Sequence, residues 1–285
     1  MDYVNPEALV STAWLEQHLT APDVHVVDAT YYLPNDERNA AEEYALRHIP
    51  GAVFFNIDEI CDSNVDLPHM LPAPEVFSSK VRKLGLGDGT RIVVYDSSGG
   101  FMAACRVWWM FRVFGHTDVA VLDGGLPKWM KEKRHVNDEE VMPQPRHFSA
   151  RMNNMLVKNM SQMMRNIDAK KFQVIDARSS GRFEGIDHEP RPTEKRGHIP
   201  GSINLPFTTL LNPKENFTFK TASEIQAAFD EAGVDVNKPI SASCGSGVTA
   251  SVTAFALNLL GHDEVSVYDG SWAEWGDHPD TPVGP

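Results

Sequence analysis

The chain repeats itself. Val26-Val27-Asp28-Ala29 returns as Val174-Ile175-Asp176-Ala177, and His48-Ile49-Pro50-Gly51 returns as His198-Ile199-Pro200-Gly201. Gly115-His116-Thr117-Asp118-Val119 matches Gly261-His262-Asp263-Glu264-Val265, and Asp123-Gly124 and Trp129 match Asp269-Gly270 and Trp275. The blocks keep their order at a nearly constant separation of about 148 residues, much longer than a solenoid repeat. The period therefore predicts two tandem domains, and 285 residues suffice for two buried cores. From Lys131 to about Val157 the chain carries charge, prolines and no firm periodicity. We expect an N-terminal domain over residues 1–140, a linker over 141–157 and a C-terminal domain over 158–285.

Within each half, short apolar β-rich runs alternate with helical stretches. The expected strands are His25–Asp28, Arg91–Tyr95 and Asp118–Leu122, then Gln173–Asp176, Pro239–Ser243 and Glu264–Tyr268. Helical runs at Met102–Phe114 and Val248–Leu260 each end in a glycine, Gly115 or Gly261, suited to the left-handed position that closes a helix. Alternation of this kind predicts an α/β fold, with an open, mostly parallel sheet flanked by helices in each half. Sites in such sheets lie where strand ends pass into helices.

Charge and cysteine usage narrow the function classes. A net charge of −13 argues against non-specific nucleic-acid binding, which needs a cationic surface. The opening MDYVNPEALVSTAW has no basic, apolar or arginine-rich leader pattern, so neither a targeting peptide nor a membrane span is expected. The three cysteines, Cys61, Cys105 and Cys244, contain no C-x-x-C pair, so neither a disulfide framework nor a metal site is expected. A reducing compartment follows, with the cytoplasm the default and mitochondrial import left open.

Differences between the copies single out one cysteine. Tyr95-Asp96-Ser97-Ser98 lies opposite Ser243-Cys244-Gly245-Ser246, so the same strand-to-helix corner carries aspartate in one copy and cysteine in the other. The chemistry is expected in the second domain, with the first catalytically silent and helping to build the cleft. Gly245 and Gly247 permit a turn whose N–H groups face inward, and the following helix adds its positive end. Both features favour a thiolate and would hold a further anionic sulfur attached to it. A cysteine phosphatase needs arginine six positions after its cysteine; that position is Ala250, which disfavours phosphoryl transfer.

The doubled H-I-P-G blocks, the Asp-Gly-x-x-x-x-Trp blocks and the C-G-S-G-V-T loop resemble the rhodanese superfamily, from about Val10 to Pro282. The loop is similar to that of its mercaptopyruvate-using branch. This resemblance implies two rhodanese domains and transfer of a sulfane sulfur through a Cys244 persulfide, with no metal or organic cofactor. It implies 3-mercaptopyruvate as donor, a thiol such as thioredoxin or cyanide as acceptor, no nucleic-acid or membrane partner, and a monomer or weak oligomer. Thiosulfate-using members carry basic residues just after the cysteine, where this chain has neutral Gly245 and Ser246.

Further roles follow from the same resemblance. Arg182 and Arg191 match carboxylate- and ketone-binding arginines, a task suited to paired guanidinium donors. Asp58 and His69 match a relay in which the aspartate orients the histidine and the histidine polarises Ser246. Backbone groups of Gly245, Gly247, Val248 and Thr249 are expected to hold the persulfide. His48 and His198 occur in both copies and are expected to be loop hydrogen-bonders, Trp129 and Trp275 corner packing, and Cys105 core filling. The alternatives are a thiosulfate sulfurtransferase and a non-catalytic rhodanese-like binding module; the latter would lack the cysteine in both copies.

Overall fold

The computed structural model describes residues 2–99 and 102–284. The first half contains strands β1 (Leu9–Val10), β2 (Val24–Asp28), β3 (Val53–Phe54), β4 (Arg91–Tyr95) and β5 (Val119–Leu122). The second contains β6 (Val157–Lys158), β7 (Gln173–Asp176), β8 (Ile203–Asn204), β9 (Leu211–Asn212), β10 (Thr218–Phe219), β11 (Ile240–Ser243) and β12 (Ser266–Tyr268). Among the described residues these make two five-stranded parallel sheets, ordered β1-β5-β4-β2-β3 and β6-β12-β11-β7-β8, and an antiparallel β9–β10 pair. The two sheets share one topology, as a duplicated sequence requires. Strands β4, β5 and β11 are buried at nearly every position, the pattern of a parallel sheet covered on both faces.

The helices of the first half are α1 (Thr12–His18), α2 (Ala40–Leu46), α3 (Pro74–Lys83), α4 (Met102–Val113) and α5 (Gly125–Lys131). Those of the second are α6 (Met160–Ala169), α7 (Ser180–Phe183), α8 (Ala222–Glu231), α9 (Ala250–Leu259) and α10 (Ser271–Trp275). Helices α4 and α9 are apolar nearly all round, so neither can face water. They solve the problem by packing on each other: Trp108 of α4 meets Phe255 of α9 edge to face at 4.8 Å, inside an apolar cluster that spans both halves. Gly115 and Gly261 close these helices at φ +88° and +95°, a conformation that favours glycine. Helix α9 begins two residues later than its sequence pattern suggests, because Gly247 at φ +73° turns the chain first.

Residues 138–153 form neither helix nor strand, yet they are tied to the first half. Phe148 is buried against Phe77 and Phe111, Asp88 N–H donates to His147 O, and Arg151 N–H donates to Phe114 O. The copied corners pack as their occurrence in both halves suggests. His48 Nδ1 lies 2.8 Å from Tyr44 O with its ring stacked on Tyr44, and His198 Nδ1 lies 2.9 Å from Phe183 O, stacked on Phe183. Trp129 and Trp275 are fully buried and donate to His135 O and Pro282 O. Cys105 is likewise fully buried.

One matched pair of buried groups differs in its electrostatics. Asp176, at the end of β7, is ion-paired with Arg178 at 2.6 Å. Asp28, at the end of β2, has Thr30 at that place and accepts only the Thr30 N–H among backbone donors. Burial without a cation pushes the Asp28 carboxyl up to about 6 from 3.8. A carboxyl raised on folding binds its proton more tightly in the folded chain, so its stabilising effect is present below about 4 and lost as pH rises through about 6. Asp28→Asn is expected to flatten the stability profile between about pH 4 and 6 and to raise stability at pH 7 by up to ~2 kcal/mol, measured by urea unfolding at each pH. A variant less stable than wild type at pH 7, with the slope between pH 4 and 6 intact, would contradict this origin.

Candidate active site

Strand β11 ends at Ser243, and Cys244 stands on the next position, 2% exposed, at the base of a cavity of about 210 Å³. The cavity lies between the halves: Tyr31, Leu33 and Met102 of the first face Arg182, Arg191, Gly245, Ser246, Val248 and Thr249 of the second. Its walls are mostly apolar, with a few converging polar groups, the usual character of a small-molecule site.

The loop after Cys244 is fixed through its carbonyls. Trp272 N–H donates to Cys244 O at 2.9 Å, Ala273 N–H to Gly245 O at 2.8 Å, and the Ser251 hydroxyl to Gly247 O at 3.0 Å. Ser271 holds it from below, its Oγ accepting from both Cys244 N–H and Gly247 N–H at 3.1 Å while donating to Tyr268 O at 2.8 Å. The N–H groups of Gly245, Ser246, Val248 and Thr249 then have no protein acceptor among the described residues. Four unsatisfied donors in the loop that follows Cys244, lining the same cavity, form a nest able to hold an anion. Gly247 departs from expectation: its N–H is taken by Ser271, so it contributes the turn and not a donor.

The first half shows what such a loop holds. Asp96, at the place of Cys244, accepts from Ser98 N–H at 3.2 Å, the Ser98 hydroxyl at 2.8 Å and Ala104 N–H at 3.0 Å. Its own carboxylate takes the Ser98 N–H, whose counterpart in the second half, the Ser246 N–H, is left open beside Cys244.

Two arginines reach the cavity, each held differently. The side-on edge of Arg182 is clamped by Glu189, whose Oε2 accepts from Nε at 3.1 Å and from Nη2. Glu189 Oε1 accepts from Arg178 Nη1 at 2.8 Å, and Arg178, fully buried against Trp272, is anchored on Asp176. Arg191 reaches across to the first half and donates through Nη2 to the Tyr31 hydroxyl at 2.7 Å and to His69 Nε2 at 3.0 Å.

That last contact fixes the state of His69. A guanidinium only donates, so Nε2 accepts and the ring proton sits on Nδ1. Nδ1 lies 3.0 Å from Asp58 Oδ1, a paired separation though out of line for a well-formed hydrogen bond. Burial pushes His69 below its ordinary 6.5, against the opposing pull of Asp58, and the adjoining imidazole holds the Asp58 carboxyl below its ordinary range. Asp58 and His69 therefore meet as the expected relay requires. Its second link does not form: His69 Nε2 faces Arg191, and no hydrogen bond among the described residues joins His69 to Ser246. Ser246 lines the cavity beside Cys244 without that partner. Cys61 is a bystander whose Sγ–H donates to Asp58 O at 3.0 Å.

Behind the loop lies a group that the sequence reading passed over. Arg106 of α4, fully buried over the Trp109 ring, donates through Nη2 to Asp269 Oδ1 at 2.7 Å and to His69 O, and through Nη1 to Gly247 O at 3.4 Å. Asp269 Oδ2 accepts Leu71 N–H at 2.8 Å. One guanidinium thus ties together the His69 loop of the first half and the Cys244 loop of the second.

A family model for the rhodanese-like domain matches residues 11–132 and 159–278. The chain belongs to the rhodanese family, with two copies of its domain. It is 42% identical over 273 residues to the 3-mercaptopyruvate sulfurtransferase of Homo sapiens, covering 94% of this chain and 91% of that protein. It is 44% identical over 273 residues to the thiosulfate sulfurtransferase of Gallus gallus, covering 94% and 93%. The solved structure of a 3-mercaptopyruvate sulfotransferase from Escherichia coli superposes with a TM-score of 0.85 at 39% identity, over 93% of this chain and 98% of that one.

Ser271 sits at φ +49°, where an L side chain is strained, and the matching residue of the first half is Gly125 at φ +53°. A serine at this angle is maintained by its bonds to the loop. Ser271→Ala keeps the strain and strands two buried N–H groups, so it is expected to cost about 2–4 kcal/mol and to change the alkylation rate of Cys244. Ser271→Gly relieves the strain and should lose clearly less stability while perturbing alkylation equally. Equal stability losses in the two variants, or unaltered alkylation, would show that the hydroxyl does not hold the loop.

Proposed function

We propose that the chain is a sulfurtransferase that takes sulfur from 3-mercaptopyruvate onto Cys244 and releases pyruvate. The observation that carries this reading is the open nest of four N–H groups in the loop after Cys244, lining one cavity with Cys244, Arg182 and Arg191. The names of the human and Escherichia coli relatives support it.

The chemistry follows from the placement of charge. The Cys244 thiolate attacks the donor sulfur, forming an S–S bond as the C–S bond breaks. The electron pair of that bond passes to carbon as the enolate of pyruvate, and the proton lost from the donor thiol ends on that carbon. Arg182 and Arg191 hold the carboxylate and ketone, and stabilise the enolate charge as it develops. Free N–H groups of Gly245, Ser246, Val248 and Thr249 hold the persulfide. An acceptor thiol, such as that of thioredoxin, or cyanide then removes the outer sulfur, so the cycle is ping-pong. Neutral His69 keeps Arg191 pointed into the cavity by accepting from it. The net charge of −13 fits a monomer or weak oligomer, and three free cysteines fit a reducing compartment such as the cytoplasm.

Thiosulfate is the competing donor, given the name of the Gallus gallus relative. Neutral Gly245 and Ser246 beside the sulfur favour mercaptopyruvate, whose charge lies away from the reacting atom.

Incubation with mercaptopyruvate is expected to add the mass of one sulfur to the intact protein and to release pyruvate, and Cys244→Ser to abolish both. Arg182→Ala and Arg191→Ala should lower kcat/KM for mercaptopyruvate by about 10- to 100-fold, the loss of a charge-assisted carboxylate contact, while Cys244 still reacts with iodoacetamide. Wild-type protein that gains no sulfur and releases no pyruvate would sink the reading.

A further inference from the structure

We infer that Glu189 sets the charge of the donor: by clamping Arg182 it leaves Arg191 as the one arginine of the cavity without a carboxylate partner, which favours a monoanion over a dianion. This rests on the sulfurtransferase reading and adds a residue that determines specificity.

Besides the reacting Cys244, whose charge is the same for either donor, the charged side chains lining the cavity are Arg182, Glu189 and Arg191. Behind them, buried Arg178 is matched by Asp176 and by the other oxygen of Glu189. Glu189 itself is 6% exposed on its side chain, so its charge is poorly screened by water. Arg191 donates directly to Tyr31 and His69, both neutral acceptors. Asp58 lies one step further, beyond His69, with its side chain 59% exposed and screened. Arg182 is thus internally balanced and Arg191 is not.

Geometry sharpens the effect. Glu189 occupies the Nε–Nη2 edge of Arg182, leaving only the Nη1–Nη2 end for a substrate. That guanidinium is pressed against the loop: a Cβ at Gly245 would stand 2.8 Å from Arg182 Nη2 and 3.8 Å from Glu189 Oε2. Any side chain after Cys244 would have to displace the clamped arginine. The bare backbone at Gly245 and the Glu189 clamp are therefore one device, which places a single half-shared guanidinium end beside the reacting sulfur. A monoanionic oxo acid matches Arg191; a dianion brings one further negative charge within reach of Glu189 and of the Cys244 thiolate.

The test compares two tetrahedral anions that differ in one charge, methanesulfonate and sulfate, as protectors of Cys244 against iodoacetamide at constant ionic strength, a readout that needs no turnover. Wild type should be protected at lower concentration by methanesulfonate. Glu189→Gln should shift the ratio of the two protection constants about tenfold toward sulfate, and should raise thiosulfate kcat/KM relative to mercaptopyruvate by a similar factor. Glu189→Asp, which retains the charge, should keep both ratios near wild type even where absolute rates fall. Unchanged ratios in Glu189→Gln, equal shifts in Gln and Asp, or wild type protected better by sulfate would each overturn the proposal. The wild-type comparison decides it if the variants do not fold. Failure of the donor reading is separate: it would appear as wild type releasing no pyruvate.

Discussion

The buried pairing of Arg106 with Asp269 is the contact on which the site depends. A guanidinium with no exposed surface is tolerable only when its charge is matched and most of its donors are taken. Here Asp269 supplies the charge, while His69 O and Gly247 O take further donors. Because the arginine belongs to one half and the carboxylate to the other, satisfying it fixes the two sheets in register across the cavity. A carbonyl on each side of the chemistry is held by the same planar group, so the halves cannot move apart without stranding a buried charge.

Duplication explains how the chain came to separate structure from chemistry. Both copies keep the sheet order, the stacked histidine corners and the left-handed helix-closing glycines. They diverge where charge matters. Asp96 fills its own nest, so that corner is closed, whereas Cys244 leaves the nest open to an incoming sulfur. Asp176 is matched by Arg178, which in turn steadies Glu189 and Arg182; Asp28 has only the neutral Thr30 and Tyr95, and its raised carboxyl marks what burial costs without the arginine. The half without the cysteine still supplies Tyr31, His69 and Arg106, which orient Arg191 and back the loop.

Much of this was legible in the sequence because it repeats. The repeat predicts both sheets, and strands Arg91–Tyr95 and Gln173–Asp176 fall where periodicity places them. Setting Asp96 against Cys244 isolates the reactive corner. The same comparison held unused signals: Arg106 faces Val252 in the second copy, Ser271 faces Gly125, and Arg178 faces Thr30. Of the two arginines in the apolar run Met102–Val113, Arg112 stands in the last turn, whereas Arg106 has only apolar neighbours on either side and marks a buried charge in need of a partner. What sequence could not supply was distance. The direction of His69 Nε2 toward Arg191 instead of Ser246, and the diversion of the Gly247 N–H to Ser271, depend on how remote loops meet.

If the cross-chain pairing builds the site, its loss must appear in the chemistry as well as in stability. The decisive measurement is a double-mutant cycle of Arg106→Met and Asp269→Asn, read on the rate at which Cys244 takes up sulfur from mercaptopyruvate and on urea unfolding. Either single change is expected to cost about 3–5 kcal/mol of stability and to slow sulfur uptake, with a coupling energy above about 1 kcal/mol in both readouts. Sulfur uptake at the wild-type rate in folded Arg106→Met protein, or single effects that simply add, would contradict the account.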